Sequence, residues 1–239
     1  TQNGLSYLPN GKSYYEILVK DVTGSAHSIS KLKAMASTQI TADLSDMKNL
    51  LASSLSPSDY AFEETDPVLM LNNLKTKLEG VFPAPPDVDC SVNYVDPSME
   101  EYLSPAFYLT PAIDNLQENV IYINPQHMTD DIALFTTLAH EGYPGHLYQT
   151  TYFANTNPSP IRYLLNCGGY VEGWATYCEM MSYYFAPISK SDATIMQKNS
   201  SIMLGLYALA DIGIHYEGWT LMDMNTEFKI QMRLKKFST

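Results

Sequence analysis

The chain runs to 239 residues, 45% hydrophobic and 17% charged, enough for one large domain or two small ones, with one core the simpler reading and a composition unlike that of a disordered chain. Fourteen Lys+Arg against 26 Asp+Glu leave a formal net charge of −12, so the basic footprint of a nucleic-acid or anionic-membrane binder is absent. No apolar run approaches the roughly 20 residues that cross a bilayer. The three cysteines, Cys90, Cys167 and Cys178, form neither a disulfide framework nor a CxxC knuckle and read as buried apolar residues.

In chain order, a turn at Asn10-Gly11 leads into Tyr14, Tyr15, Leu18 and Val19 at helical spacing, and Thr23-Gly24 stops that segment. The apolar stripe Ile29, Leu32, Met35, Ile40, Leu44 and Met47 predicts a longer helix over 28–54, and Leu71, Leu74 and Leu78 predict another over 67–80. The run Val-Phe-Pro-Ala-Pro-Pro-Asp at 81–87 cannot be helical, because each proline removes a donor and restricts its predecessor; it marks an internal boundary. Short β-type runs follow at 92–95, 106–110 and 120–124. Helical patterns then resume at about 130–143, 146–153, 160–185, 191–216 and 221–235. The expected fold class is mainly α with a small antiparallel β-sheet just ahead of the central helices.

The chemistry concentrates in His140-Glu141-Gly142-Tyr143-Pro144-Gly145-His146, with Tyr148 and Gln149 just beyond. In an HExxH helix, about 100° per residue brings two imidazoles four apart onto one face. Here they are six apart, and a continuous helix would turn the second about 240° away. Pro144 removes a donor and Gly145 tolerates unusual dihedrals, so a break at this point can return His146 toward His140.

A second helix carries Glu172 in one row with Leu165, Gly168 and Ala175, so its carboxylate is expected in a packed seam, where it must be paired, protonated or metal-bound. Glu179 returns to the same face, either solvated or accepting a hydrogen bond from a ligand imidazole. Two histidines and one carboxylate with an open position are a ligand set of catalytic zinc. On a third helix Asp211 and His215 stand four apart, a pair suited to substrate or transition-state hydrogen bonding. The strand through Tyr122 either lies at the sheet edge, where it can pair with an extended peptide, or is ordinary structural sheet. Tyr143 and Gln149 are pocket-lining candidates, although aromatic residues at such spacing also build cores.

These residues resemble the bacterial domain of unknown function 885 family. The resemblance rests on HExxPGHxxQ at 140–149, EGWAxYxE at 172–179, Ala106-Phe-Tyr-Leu-Thr-Pro, Ile121-Tyr-Ile-Asn, Asp211-Ile-Gly-Ile-His-Tyr-Glu-Gly-Trp219 and Gly11-Lys-Ser-Tyr-Tyr15, and so spans nearly the whole chain. It implies a zincin-like fold similar to the thimet-oligopeptidase and carboxypeptidase Taq groups, with residues 1–239 as one catalytic domain from the C-terminal part of a longer protein. It also implies His140, His146 and Glu172 as ligands of one zinc ion, Glu141 as general base and a peptide as substrate. Two competing readings stay open: a zincin-like module that binds without turnover, and a carboxylate pair, Glu172 with Glu179, acting on a sugar bond. The abundance of Tyr, Asn, Ser and Thr and the scarcity of Lys lean toward an exported protein, any signal lying upstream.

Overall fold

A computed structural model of the chain describes residues 4–52, 61–165 and 167–233. The chain divides into two compact units, Thr1–Ser58 with Lys190–Thr239, and Asp59–Ser189. The proline run 81–87 falls inside the second.

The first unit is helical: α1 (Gly11–Thr23), α2 (Ile29–Ala52), α7 (Lys190–Ile212) and α8 (Leu221–Arg233), with α7 passing directly into a π-helical turn, Gly213–Glu217. Residues 53–54 and 234–235 of the expected α2 and α8 lie outside the described residues. Ile40 of α2 packs on Ile202, Leu206 and Leu209 of α7. Gly205 lets the two helices close, since a Cβ there would stand 2.7 Å from Ile40 Cγ1. One turn along α2, fully buried Asp43 accepts hydrogen bonds from Lys198 at 2.8 Å, Ser201 at 2.6 Å and Gln39 at 3.0 Å. Burial by itself would raise the Asp43 pKa, but these donors outweigh it and hold the carboxyl below the ordinary range.

The second unit builds α3 (Pro67–Thr76), α4 (Asp131–Glu141), α5 (His146–Asn155) and α6 (Gly168–Ser182) around a three-stranded sheet of β1 (Asp89–Tyr94), β2 (Ala106–Leu109) and β3 (Glu118–Ile123). Side-chain oxygens cap the helices that enter the core: Asp66 accepts from Val68 and Leu69 N–H ahead of Pro67, and Asp130 from Ala133 N–H. In β3, Asn119, Ile121 and Ile123 alternate inward. Ile121 and Ile123 are buried, as are Leu71 and Leu74 of α3 and Leu138 of α4, and the Leu71 and Ile121 side chains both close on Gly142 at the end of α4.

Three expectations need correction. The sheet is mixed, in the order β1-β3-β2, with β1 parallel and β2 antiparallel to β3. Residue alternation records which face is buried, whereas strand direction depends on how the connections return. The strand carrying Tyr122 is accordingly central, and β2 is the edge nearer α4. The helix expected over 160–185 is instead a 3-10 turn at Pro160–Tyr163 followed by α6. Of the cysteines, only Cys178 is buried; Cys90 is intermediate and Cys167 exposed.

Candidate metal and catalytic site

The site grows from the break between α4 and α5. Gly142 closes the last turn of α4 onto Leu138 O at 2.9 Å and then leaves helical geometry at φ −109°, ψ −107°. A cis Tyr143-Pro144 peptide follows, and Gly145 N–H returns to Ala139 O at 2.9 Å. Gly145 lies so close to the end of α4 that a Cβ would stand 1.8 Å from His140 O, which no other residue permits. The next residue is His146. The break thus sets the His140 and His146 rings 4.9 Å apart between centroids and 82° from coplanar.

α6 closes the cluster. Glu172 Oε2 lies 3.8 Å from His140 Nε2 and 3.7 Å from His146 Nε2, and all three candidate ligand atoms fall within 4.8 Å of one another. Donors bonded at about 2.1 Å to a tetrahedral zinc stand about 3.4 Å apart. The two Glu172 distances exceed that spacing by a few tenths of an ångström, and the two imidazole nitrogens, within 4.8 Å of each other, would close by up to about 1.4 Å as the rings turn toward a shared ion. Glu172 is not in a packed seam: its side chain is 66% exposed. The reason is that α6 starts only at Gly168, leaving Leu165 outside the helix, while its buried row runs through Ala175, Cys178 and Ser182. Glu172 projects at the open end of that row, accessible to a ligand from solvent.

Glu179 stands two turns along, its Oε2 2.9 Å from His140 Nδ1. A carboxylate there accepts a hydrogen bond from Nδ1–H, which keeps the proton on Nδ1 and leaves the Nε2 lone pair on the side of Glu172 and His146. Burial lowers the His140 pKa, but the Glu179 hydrogen bond and the charges of Glu141, Glu179 and Glu172 outweigh it, and the net shift is upward. For His146, burial, aided by the neighbouring His140, outweighs the Glu172 charge and lowers the pKa, a shift toward the neutral ring that metal ligation requires. Three carboxylates around two imidazoles concentrate negative charge that a divalent cation would offset.

Glu141 ends α4 beside His140. Its Oε2 accepts the backbone N–H of Tyr108 at 2.9 Å. Tyr108 pairs in register with Ile121, yet this N–H points away from β3 and is spent on the glutamate. Burial raises the Glu141 pKa, the His140 charge and the Tyr108 N–H oppose it, and the outcome is upward.

The other predicted residues are placed as follows. Tyr143 is buried, with Lys75 Nζ 5.4 Å from its ring centroid. Gln149 is half-buried on α5, its N–H bonded to Gly145 O at 2.9 Å. Tyr122 stacks on Phe107 at 5.4 Å between β3 and β2. Asp211 and His215 belong to the first unit. There the Tyr15 hydroxyl donates to Asp211 Oδ2, and Leu5 N–H donates to His215 Nδ1 at 3.3 Å. The His215 ring lies 6.1 Å from that of Tyr15, nearly parallel at 13°. Its Nε2 is 3.9 Å from Asp211 Oδ1, an ion-pair distance too long for a direct hydrogen bond. Sequence reasoning missed two contacts in the second unit, the Tyr108 N–H on Glu141 and the Trp174 indole on Pro144 O at 2.8 Å. The first has a backbone donor and the second a backbone acceptor, so neither leaves a complete side-chain pattern to find.

The chain belongs to the family described as bacterial protein of unknown function (DUF885), whose model matches residues 1–229. Among solved structures, "the putative lipoprotein from Colwellia psychrerythraea" is similar at 19% identity and a TM-score of 0.78. The similarity covers 97% of this chain and 44% of that one, so the chain spans less than half of that relative's length. No curated protein matches the chain.

Proposed function

We propose that the second unit carries the active site of a zincin-like, zinc-dependent peptidase, related in plan to the thimet-oligopeptidase and carboxypeptidase Taq groups. The observation that supports it is the convergence of His140 Nε2, His146 Nε2 and Glu172 Oε2 within 4.8 Å, with Glu141 held beside them by Tyr108. His140, His146 and Glu172 would hold the ion, and Glu179 would orient His140. When bound, zinc supplies Lewis acidity toward a water molecule and a substrate carbonyl.

The remaining chemistry belongs to the chain. Burial keeps Glu141 a stronger base than a solvated glutamate, and the Tyr108 N–H fixes one carboxylate oxygen, leaving the other to work. Glu141 takes a proton from the attacking water as its oxygen bonds to the peptide carbon. It returns the proton to the departing amine as the C–N bond breaks. Because β2 is an edge strand tied through Tyr108 to this base, an extended peptide adding to that edge would run past Glu141. The sugar-bond alternative loses support, since Glu172 and Glu179 approach opposite nitrogens of one imidazole ring, which fills the gap a sugar would need. The Colwellia relative described as a lipoprotein supports placement at the cell envelope.

The test is metal analysis with peptide hydrolysis on wild type and Glu141→Gln. One zinc per chain in both, with turnover only in wild type, is expected. Full turnover in Glu141→Gln would overturn the assignment of the base, and zinc without turnover in wild type would favour the non-catalytic binding module.

A further inference from the structure

Pro144 lies within the break that separates the two imidazoles, and its carbonyl is held by α6. Trp174 Nε1–H donates to Pro144 O at 2.8 Å, and Cys178 Sγ, one turn on, approaches the same oxygen at 3.5 Å. The indole is itself fixed: the Phe82 ring meets it edge-on at 5.9 Å, and Tyr148 of α5 stacks at 6.5 Å. The Tyr148 hydroxyl in turn donates to Pro83 O at 2.9 Å, so the proline run braces the indole from outside. One helix thereby presents Glu172 to both imidazoles, orients His140 through Glu179 and grips the peptide that determines where His146 falls.

We propose that Trp174 is a positioning residue for the divalent ion, a latch that registers the α4–α5 break against α6 so that His146 stays within ligating distance of His140 and Glu172. The proposal rests on the metal reading above and extends it to a residue that touches no ligand atom. Tightly placed ligands lose affinity when their supports are removed, typically by ten- to a hundredfold. Linkage adds a reciprocal requirement: if the latch strengthens ion binding by a given factor, the ion must stabilise the latch by the same factor.

The experiment measures zinc affinity by competition with a chromophoric chelator for wild type, Trp174→Phe and Trp219→Phe. Cobalt(II) absorption reports ligand geometry, and metal-free melting temperatures serve as a stability control. Phenylalanine keeps an aromatic ring between Phe82 and Tyr148 but loses the Nε1–H donor and part of the indole's stacking area, which the metal-free melting temperature reports separately. Trp174→Phe should bind zinc about tenfold more weakly and shift the cobalt bands, whereas Trp219→Phe should match wild type. In the unsubstituted protein, with the two indoles assigned from Trp219→Phe, zinc should slow hydrogen exchange at Trp174 Nε1–H by a similar factor, a readout that survives even if Trp174→Phe does not fold. Wild-type affinity and cobalt spectrum in Trp174→Phe, or an exchange rate indifferent to zinc, would overturn the latch while leaving the metal site standing. Absence of zinc binding in wild type would remove both.

Discussion

Removal of the Glu179 carboxylate isolates the support behind one ligand without touching the ligand itself. Glu179 Oε2 is 2.9 Å from His140 Nδ1, and the two side chains are 33% and 19% exposed, so the hydrogen bond is partly screened by water but not dissolved by it. Glu179→Ala leaves Nδ1 without that partner, frees the ring to rotate and removes a negative charge that raises the basicity of Nε2. Carboxylates in this position contribute about 10- to 100-fold in metal affinity, or about 1.4–2.7 kcal/mol. Glu179→Gln keeps an oxygen acceptor and loses the charge, so it belongs near the tenfold end. Zinc competition titrations at neutral pH should rank wild type above Glu179→Gln above Glu179→Ala, with one binding site throughout. If Glu179→Ala binds zinc as tightly as wild type, the carboxylate is only a helix-surface acceptor and the orientation of His140 has another source.

Gly145→Ala should be far harsher, because its methyl carbon would stand 1.8 Å from His140 O and 2.5 Å from Ala139 O. We expect loss of zinc binding and about 3 kcal/mol or more of destabilisation by calorimetry, and an intact, zinc-binding Gly145→Ala would refute the close-approach argument. In the first unit, the lowered Asp43 pKa predicts an acid-sensitive contribution to stability. It is complete above the unfolded carboxyl value of about 3.9 and is lost as pH falls through the lower folded value. The raised Lys198 pKa, due first to its hydrogen bond with Asp43, gives the opposite limb, complete below about 10.4 and lost as pH rises through the folded value. Urea midpoints between about pH 5 and 2 should therefore fall less steeply in Asp43→Asn than in wild type, and parallel curves would show that Asp43 is not linked to folding. Finally, Leu5→Pro removes the N–H that meets His215 Nδ1 while matching Gly4, whose φ −83° and ψ 160° suit a residue before proline. Imidazole nitrogen NMR at about pH 8.5, above the ordinary histidine range, should show a single Nε2–H tautomer in wild type and Leu5→Ala and a mixture in Leu5→Pro; an Nδ1–H tautomer in wild type would contradict the contact.

How much of this was legible beforehand depended on whether the information sits in side-chain order or in where the backbone returns. Helices α2, α4 and α7 announce themselves because one side chain in three or four is apolar. Helix starts are marked only where an oxygen-bearing residue such as Asp66 of α3 or Asp130 of α4 stands ready to cap them. The need for a break at Pro144-Gly145 follows from helical rotation alone, but its outcome does not: the angle at which His146 emerges is decided by Gly145 lying against the end of α4 and by the grip of α6 on Pro144 O. Row arithmetic put Glu172 in a seam because it counted from Leu165, and the true start at Gly168 moves the carboxylate to an open rim. The direction of β1, the edge position of β2 and the Tyr108 N–H on Glu141 depend on the paths of loops and on peptide groups that every residue shares. The residues that ligate can be nominated from the letters. Those that hold them in place emerge only when the neighbouring backbone is in view, and for that reason Trp174 and Tyr108 are the sharper tests of the site.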